Sequence, residues 1–241
     1  MTTDMTTTTD MKVWNGNERG LTKTGWLKSL HSFSFGQYVD PLRSGFRSLR
    51  VVNDDVITAG SGFGRHSHKE MEILTWVLDG KLAHRDSTGA SGEIVPGDFQ
   101  LISAGTGIEH SEINGLDDGT TRFLQIWIEP GTAGVNPGYQ QRSFDASGRV
   151  DRWQLIASPD ARDGSLRVHQ DAFVSVIKLG AGGTVKAEIA EGRHGYLHVA
   201  RGRVRISEGE FGSGDAVSLA GQGVLEIVAD EDSELLFFDL A

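Results

Sequence analysis

The chain has 241 residues, a formal net charge of −10 at pH 7 and no cysteine, and 38% of its residues are hydrophobic. This length suits one large β domain or two domains of about 100 residues each. No apolar run reaches the roughly 18 residues of a membrane span, so we expect no membrane segment. The absence of cysteine excludes disulfides and thiolate metal ligands and favours a cytoplasmic protein. Because the net charge is acidic, we expect no nucleic-acid contacts.

The first predicted element is a disordered tail over residues 1–12. Its sequence MTTDMTTTTD is rich in threonine and has neither the basic nor the apolar region of a secretory signal. The rest of the chain combines abundant glycine and scarce proline with short segments rich in Val, Ile and Leu. This composition favours many strands joined by tight turns, and therefore an all-β fold with few short helices.

A first series of strands is predicted between Gly45 and Pro130, in segments such as FRSLRVVNDDVI, MEILTWVL and RFLQIWIEP. Asp79-Gly80 is a dipeptide typical of tight hairpins, and Pro96-Gly97 marks another turn. Turns about every 8–12 residues are typical of a β-sandwich or barrel.

A second series of strands follows the irregular residues 131–172, in segments such as FVSVIKL, GYLHVARGRVRI and ELLFFDL. It echoes the first, because LTWVLDGKLAHRD and PGDFQLISAG are similar to YLHVARGRVRISEG and SGDAVSLAG. This weak internal repeat predicts two tandem antiparallel β-barrels of the jelly-roll type. We place the N-terminal barrel at 13–135 and the C-terminal barrel at 136–241.

Two pairs of potential metal ligands lie in the N-terminal half. His66 and His68 are two residues apart, as are His110 and Glu112, and such side chains share one face of a strand. On neighbouring strands, three imidazoles and a carboxylate would form a site for Fe(II), Mn, Ni, Cu or Zn. Four protein ligands leave two positions of an octahedral ion for substrate or dioxygen. The first pair alone also fits an exposed polar strand face, and the second pair favours the metal.

Other histidines and aromatic residues have two interpretations each. His31 lines a pocket mouth or is a core histidine, which we favour, and His84 is expected to bond Asp86 in a structural role. His194 and His198 are four residues apart, which is poor strand-face geometry for a site, so ordinary surface or core roles are favoured. A slot for an aromatic substrate, or simply hydrophobic core, is predicted for Phe33, Phe35, Trp76 and Phe99.

The residues Gly60 to Glu72, and Gly105 to Asn114, resemble the two cupin motifs. The sequence from about Val13 to Leu240 is similar to the pirin family. The segments that carry this resemblance are SFSFGQYVDP, FRSLRVVNDD, HSHKEMEILTWVLDGKLAHRDS, PGDFQLISAGTGIEHSE and SPDARDGSLRVHQD. The bacterial group described as quercetin 2,3-dioxygenase-like is the most similar. The resemblance implies a bicupin with one divalent transition metal in the N-terminal barrel, Fe(II) being the expected ion and Ni, Co, Mn, Cu or Zn alternatives.

The family's metal ligands correspond to His66, His68, His110 and Glu112. In many other cupins the carboxylate ligand comes from the first motif, which would be Glu72 here. The resemblance to pirins gives Glu72 at most a supporting or structural role. Ser67 stands where the family often has proline, and we expect this difference to leave the ligands unaffected.

The resemblance implies a dioxygenase that cleaves flavonols such as quercetin, with Glu112 as the base that accepts a proton from the flavonol. The alternative is a metal-binding regulatory partner of a transcription factor or another protein, since both functions need the same four ligands. A third possibility, a cupin isomerase or small-molecule binder, would need polar or cationic groups in the barrel for a charged ligand, and none is placed convincingly near the metal motifs. We expect a monomer whose partners are a flavonol-like molecule and dioxygen, with a protein partner under the alternative.

Overall fold

The computed structural model describes residues 10–207 and 209–241, and over these residues the chain is nearly all β, as predicted. Three short 3-10 segments interrupt the described strands, at Gly16–Glu18, Ala146–Arg149 and Arg162–Gly164. No helix in these two ranges is long and apolar enough to cross a membrane. Of the predicted tail, residues 1–9 lie outside the described residues. Residues 10–12, also predicted to be disordered, instead belong to a strand.

The first half of the chain contains most of one barrel. Its strands are β1 (Asp10–Trp14), β2 (Gly20–Lys23), β3 (Leu27–His31), β4 (Leu49–Thr58), β5 (Gly62–His68), β6 (Glu72–Asp79), β7 (Leu82–Asp86), β8 (Ser91–Ile94), β9 (Asp98–Ser103), β10 (Ile108–Asn114), β11 (Thr120–Ile128) and β12 (Gly138–Ser143). A seven-stranded sheet of order β12-β9-β6-β11-β4-β3-β2 faces a four-stranded sheet of order β5-β10-β7-β8.

The second half repeats this arrangement. Its strands are β13 (Gln154–Ser158), β14 (Leu166–Arg167), β15 (Ala172–Leu179), β16 (Thr184–Ile189), β17 (His194–Arg201), β18 (Arg203–Ile206), β19 (Gly209–Gly212), β20 (Ala216–Ala220), β21 (Gly223–Ala229) and β22 (Ser233–Leu240). A seven-stranded sheet of order β1-β20-β17-β22-β15-β13-β14 accompanies a four-stranded sheet of order β16-β21-β18-β19. The sheet orders correspond strand by strand, and the duplicated cupin barrel is confirmed.

Each barrel is completed by a strand that lies on the other side of the predicted domain boundary. Strand β1 pairs with β20 of the C-terminal barrel, and β12 pairs with β9 of the N-terminal barrel. The predicted domain limits, 13–135 and 136–241, therefore do not coincide with the sheets, and the strand pairing crosses them in both directions. Both exchanged strands cover an otherwise open sheet edge, whose unpaired backbone groups would remain available for pairing with other chains.

The turn at Asp79-Gly80 is present, but it does not form the predicted hairpin. Strand β6 pairs with β9 and β11, whereas β7 pairs with β8 and β10 in the other sheet. The turn therefore carries the chain from one sheet of the barrel to the other. Gly80 has a φ of +80°, and a Cβ there would lie 2.6 Å from Oγ1 of Thr121, so the position needs glycine.

The two seven-stranded sheets pack face to face over a shared hydrophobic core. Along β6, Leu74, Trp76 and Leu78 point towards the other barrel, whereas Ile73 and Thr75 point into their own. Phe33, Trp76 and Phe99 all belong to the shared core, so they do not form the predicted substrate slot. Trp76 also donates a hydrogen bond from Nε1 to Oε1 of Glu234, at 2.6 Å, across the two halves of the sequence.

The interiors of the two barrels differ in chemistry. The C-terminal barrel is filled by one hydrophobic cluster, and its strands β16 and β21 contribute Ala187, Ile189, Leu225 and Ile227. These strands correspond to β5 and β10, which carry the predicted metal ligands in the N-terminal barrel. The second barrel therefore has apolar side chains on the strands where the first has imidazoles and a carboxylate.

Removing the ring of Trp14 tests whether the exchanged strand β1 stabilises the C-terminal barrel. Trp14 is 4% exposed, and its Nε1 donates a hydrogen bond to Oγ of Ser218 at 2.9 Å. We expect Trp14→Ala to lower the free energy of unfolding by about 3–5 kcal/mol, because it leaves a cavity in the shared core. The exposed Met11 on the same strand is the control, and Met11→Ala should change stability by less than about 0.5 kcal/mol in urea titrations. Equal effects of the two variants would contradict this role.

His198 should make the metal-free protein lose stability as the pH falls. It is 1% exposed, both ring nitrogens lack partners among the described residues, and burial lowers its pKa to about 3. Below the unfolded value of about 6.5, the unfolded chain binds a proton that the folded chain excludes, so the free energy of unfolding decreases. Urea titrations between pH 6 and pH 4, with a chelator present, give the free energy of unfolding at each pH. Its decrease per pH unit should be smaller in His198→Leu than in the wild-type protein by up to about 1.4 kcal/mol. Identical slopes would contradict the assignment.

Candidate metal centre

The two predicted ligand pairs lie on neighbouring antiparallel strands. Strands β5 and β10 pair so that His110 lies opposite His66, with an irregularity in the register between His110 and Glu112. Gly62 permits the close approach of the strands there, because a Cβ at this position would collide with the carbonyl oxygen of Glu112. Along β10 the side chains alternate between buried and more exposed positions, which places His110 and Glu112 inside the barrel.

Three imidazoles meet at this point. The ring centroids of His66 and His110 are 4.4 Å apart, those of His66 and His68 are 4.7 Å apart, and those of His68 and His110 are 4.9 Å apart. One ring nitrogen from each histidine lies within 4.8 Å of the others. Nδ1 of His66 lies 2.7 Å from the carbonyl oxygen of Gly64. When Nδ1 donates a hydrogen bond to this oxygen, Nε2 is unprotonated and available to a metal.

The environment keeps two of these histidines neutral and unpaired. Nε2 of His68 and both ring nitrogens of His110 are buried without hydrogen-bond partners among the described residues. Burial, reinforced by the neighbouring imidazoles, lowers the pKa of His68 to about 4 and that of His110 to about 3. Buried polar atoms without partners are uncommon in proteins, and neutral imidazole nitrogens are the form that metals bind. The donor set therefore fits a divalent transition metal.

Glu112 is fully buried, and two amide side chains hold its carboxylate. Gln100 donates from Nε2 to Oε1 of Glu112 at 2.9 Å, and Gln125 donates from Nε2 to Oε2 at 2.9 Å. Thr75 links the clamp, since its hydroxyl donates to Oε1 of Gln125 at 2.8 Å and accepts from Nε2 of Gln100 at 3.0 Å. Oε2 accepts one amide hydrogen bond and keeps a lone pair for a further partner, whereas Oε1 also lies 3.4 Å from the Thr75 hydroxyl.

The clamp belongs to a row of polar residues that crosses the seven-stranded sheet. Each member lies beside the next on the neighbouring strand, and all are buried. In order across β3, β4, β11, β6 and β9, they are His31, Asn53, Gln125, Thr75 and Gln100. The row separates two small apolar clusters of the N-terminal barrel, whereas the C-terminal barrel has one continuous cluster.

A fourth histidine lies beside the cluster. His84 is buried, its Nε2 lies 2.9 Å from Oδ2 of Asp86, and its ring stacks on Tyr139 with centroids 4.5 Å apart. The predicted contact with Asp86 is therefore present. Nδ1 of His84 lacks a partner among the described residues, and His84, His110 and Glu112 bring ligand atoms within 4.8 Å of one another. His84 therefore lies next to two of the predicted ligands, which its predicted structural role did not include.

A cavity of about 90 Å³ opens beside these residues. His66 and Glu112 border it, and three aromatic side chains, Phe35, Phe63 and Trp127, form its apolar walls. Of the predicted aromatic slot, Phe35 alone lines this cavity. The remaining lining residues are Thr22, Leu27, Ser29, His31, Asn53, Asp55 and Gln125. The cavity lining contains no lysine or arginine, which disfavours a substrate with strong negative charge.

His31 and Glu72 have different places relative to this cavity. His31 combines both predicted interpretations, because it lines the cavity and is 1% exposed, with Nε2 2.8 Å from Oγ1 of Thr22 and Nδ1 2.8 Å from Oδ1 of Asn53. Glu72 accepts hydrogen bonds from the Ser103 hydroxyl at 2.9 Å and from the backbone N–H of His169 at 3.3 Å. Burial raises the pKa of Glu72, and its carboxylate contacts none of the four predicted ligands.

The sequence analysis did not identify the residues that hold Glu112. Thr75, Gln100 and Gln125 each interrupt an otherwise apolar strand, in EILTWVLD, DFQLIS and FLQIWI. A single polar residue inside a buried strand indicates a partner for that residue, because an unpaired polar group there is costly. That signal was available, but the sequence alone does not show that the three residues share one partner.

Family models match both halves of the chain. The model described as Pirin matches residues 15–128, and the model described as Quercetinase C-terminal cupin domain matches residues 155–240. A quercetin 2,3-dioxygenase of Escherichia coli strain K12 is 47% identical over 224 residues, which cover 93% of this chain and 96% of that protein. A pirin-like protein of Caulobacter vibrioides is 40% identical over 90% of this chain and 94% of its own length.

A solved structure is similar over nearly the whole chain. The bacterial pirin YhhW from Escherichia coli, in complex with nickel(II), superposes with a TM-score of 0.90 at 44% sequence identity. The match covers 96% of this chain and 99% of YhhW. A nickel ion is thus present in a protein of the same fold.

Weakening the clamp on Glu112 should lower the affinity for the metal. Gln125→Leu removes the amide that holds Oε2 of Glu112 at 2.9 Å, so the carboxylate loses a fixed orientation. Residues that orient a metal ligand typically contribute about 10–100-fold in affinity, and we expect a loss of this size for Ni(II) in chelator-competition titrations. Gln140→Leu is the matched control, because Gln140 bonds the backbone of Arg167 and not Glu112. An unchanged affinity in Gln125→Leu would contradict this role of the clamp.

Proposed function

The chain belongs to the pirin family, and from this membership we propose that it is a metal-dependent dioxygenase that cleaves flavonols such as quercetin. The observation that carries the proposal is the position of the histidine cluster and of Glu112 at the wall of a cavity lined by aromatic rings. The dioxygenase named for Escherichia coli, at 47% identity, supports the same substrate class. A small aromatic molecule and dioxygen are then the reactants.

We assign His66, His68, His110 and Glu112 as the residues that hold the metal. Fe(II) is the first candidate from the resemblance, and the nickel complex of YhhW makes Ni(II) the second. A divalent metal bound there supplies a Lewis acid that lowers the pKa of a hydroxyl group beside it. Three imidazoles and one carboxylate bind several divalent ions, so the ion present depends on availability as well as on affinity.

The cavity walls position the substrate. Phe35 and Trp127 meet edge to face with their centroids 5.5 Å apart, and Trp127 also lies edge to face with His68 at 4.9 Å. Phe63 and Trp26 form a similar pair at 5.4 Å. These rings present flat apolar surface next to the ligands, which suits a planar aromatic molecule and excludes water from it.

Glu112 is the proposed acceptor of the proton from the flavonol hydroxyl. Its carboxylate borders the cavity, and the amide of Gln125 leaves a lone pair of Oε2 free. The clamp holds this group in one orientation, so the proton acceptor is positioned before the substrate enters. The amide donors also replace the hydration that the buried carboxylate loses.

Oxygen uptake tests the proposed activity directly. The protein is loaded separately with Fe(II), Ni(II), Co(II), Mn(II) and Cu(II), and oxygen consumption is followed with quercetin. We expect metal-dependent uptake that His66→Ala reduces by more than about 100-fold, because one of the residues holding the metal is lost. Glu112→Gln should reduce the rate at least as strongly, since an amide cannot accept the proton.

His194→Gln is the matched control for loss of a histidine. His194 lies on β17 in the C-terminal barrel, away from the cavity, and its variant should retain metal content and uptake. If the wild-type protein binds one metal ion per chain but consumes no oxygen with quercetin under any metal, the dioxygenase proposal is wrong.

A further inference from the structure

One wall of the cavity carries polar side chains that the metal centre does not use. They come from β2, β3 and β4, and are Thr22, Ser29, His31, Asn53 and Asp55. Thr22, His31 and Asn53 form a chain of contacts at 2.8 Å in which both ring nitrogens of His31 have a partner. This part of the wall is therefore largely satisfied within the protein.

Asp55 differs from its neighbours on this wall. The residue is 2% exposed, and its Oδ1 has no hydrogen-bond partner among the described residues. Ser29 lies beside Asp55 on β3, and a hydrogen bond from its hydroxyl favours the ionised form of the Asp55 carboxyl group. A buried carboxyl oxygen without a partner destabilises the folded protein, so its presence beside a cavity points to a partner that comes with the ligand.

The charges around Asp55 favour its protonated form. Burial is the largest cause and, with the negative charges of Asp54 on the same strand and Glu112 on β10, raises the pKa of Asp55 to about 7. The hydrogen bond from Ser29 opposes this shift. On β11, the residue opposite Asp55 is Phe123, which has no charge. Below pH 7 the carboxyl group is therefore mostly neutral and can donate a hydrogen bond as well as accept one.

A second polar atom without a partner lies in the same cavity wall. Nε1 of Trp127 is buried and has no acceptor among the described residues, although Trp127 borders the cavity. An indole N–H is a donor only, so it is complementary to an oxygen atom. Asp55 and Trp127 thus offer hydrogen bonds to oxygen atoms, at a site that also has apolar surface from Phe35 and Phe63.

We propose that Asp55 is a specificity-determining residue that binds a hydroxyl group on an outer ring of the aromatic substrate, apart from the hydroxyl group that reacts. The inference rests on the proposed function of the same site. The substrate class that this site selects is then narrower than aromatic compounds in general. It comprises polyphenols that place an oxygen substituent next to Asp55. Sites that hydrogen-bond a substrate oxygen discriminate strongly against analogues without it, since their buried polar groups are then left unpaired.

Binding of two flavonols to metal-loaded protein tests this assignment without turnover. Quercetin carries hydroxyl groups on its outer rings, and 3-hydroxyflavone keeps the reacting hydroxyl but lacks them. Dissociation constants are measured without oxygen by quenching of tryptophan fluorescence. We expect wild-type protein to bind quercetin about tenfold more tightly than 3-hydroxyflavone, and Asp55→Leu to lose that preference while its affinity for 3-hydroxyflavone changes less than about twofold.

Asp55→Asn is the second variant, because it keeps the volume and a donor but cannot ionise. At pH 6 its affinity for quercetin should remain within about threefold of the wild-type value. Between pH 6 and pH 8 the wild-type affinity should fall relative to that of Asp55→Asn, since ionisation removes the donor from Asp55 alone. Metal content and circular dichroism of both variants establish that the site and the fold are intact.

The outcomes separate this inference from the proposed activity. If Asp55→Leu keeps the full preference for quercetin, or if Asp55→Asn follows the wild-type pH dependence, Asp55 does not bind the substrate. Wild-type binding that depends on Asp55, without oxygen uptake, overturns the dioxygenase proposal and leaves the binding role standing. If neither flavonol binds to the metal-loaded wild-type protein, both proposals fail.

Discussion

The burial of the Glu112 carboxylate is the constraint on which the N-terminal barrel depends. An ionised carboxylate removed from water is very unfavourable unless donors replace the lost hydration. Gln100 and Gln125 supply those donors at 2.9 Å, and Thr75 holds both amides in place. Because the three residues come from β9, β11 and β6, the register of the seven-stranded sheet must be correct for the carboxylate to be satisfied. The order of the sheet and the geometry of the centre are therefore coupled.

The interiors of the two barrels differ because only the N-terminal barrel buries this carboxylate. They share one strand order, yet the C-terminal interior is a continuous hydrophobic cluster and the N-terminal interior is divided by polar residues. A divided interior leaves room for a cavity, whereas close-packed aliphatic side chains leave little. The shared core between the seven-stranded sheets, and the exchange of β1 and β12, join the aliphatic barrel to the polar one. The C-terminal barrel can thus act as a support for the barrel that carries the candidate metal centre.

The cavity combines apolar area with a few polar atoms, and the balance of the two bears on specificity. Phe35, Phe63 and Trp127 supply non-directional binding to a flat ring, which by itself discriminates weakly among aromatic compounds. The polar groups of Glu112 and Asp55 lie on different strands of the same cavity, β10 and β4. Two polar groups fixed in a rigid wall impose an orientation on a bound molecule, and orientation is what the proposed reaction needs.

The sequence by itself determined the fold class, the duplication, the family and the pairing of His66 with His68 and of His110 with Glu112. These features follow from local regularities, because side chains two residues apart share a strand face whatever the rest of the chain does. Only the tertiary structure decided which face points into the barrel, so Phe35 reaches the cavity whereas Phe33, Trp76 and Phe99 lie in the shared core. It also decided the exchange of β1 and β12 and the clamp on Glu112. Both depend on the register between segments far apart in sequence, and local patterns do not encode that register.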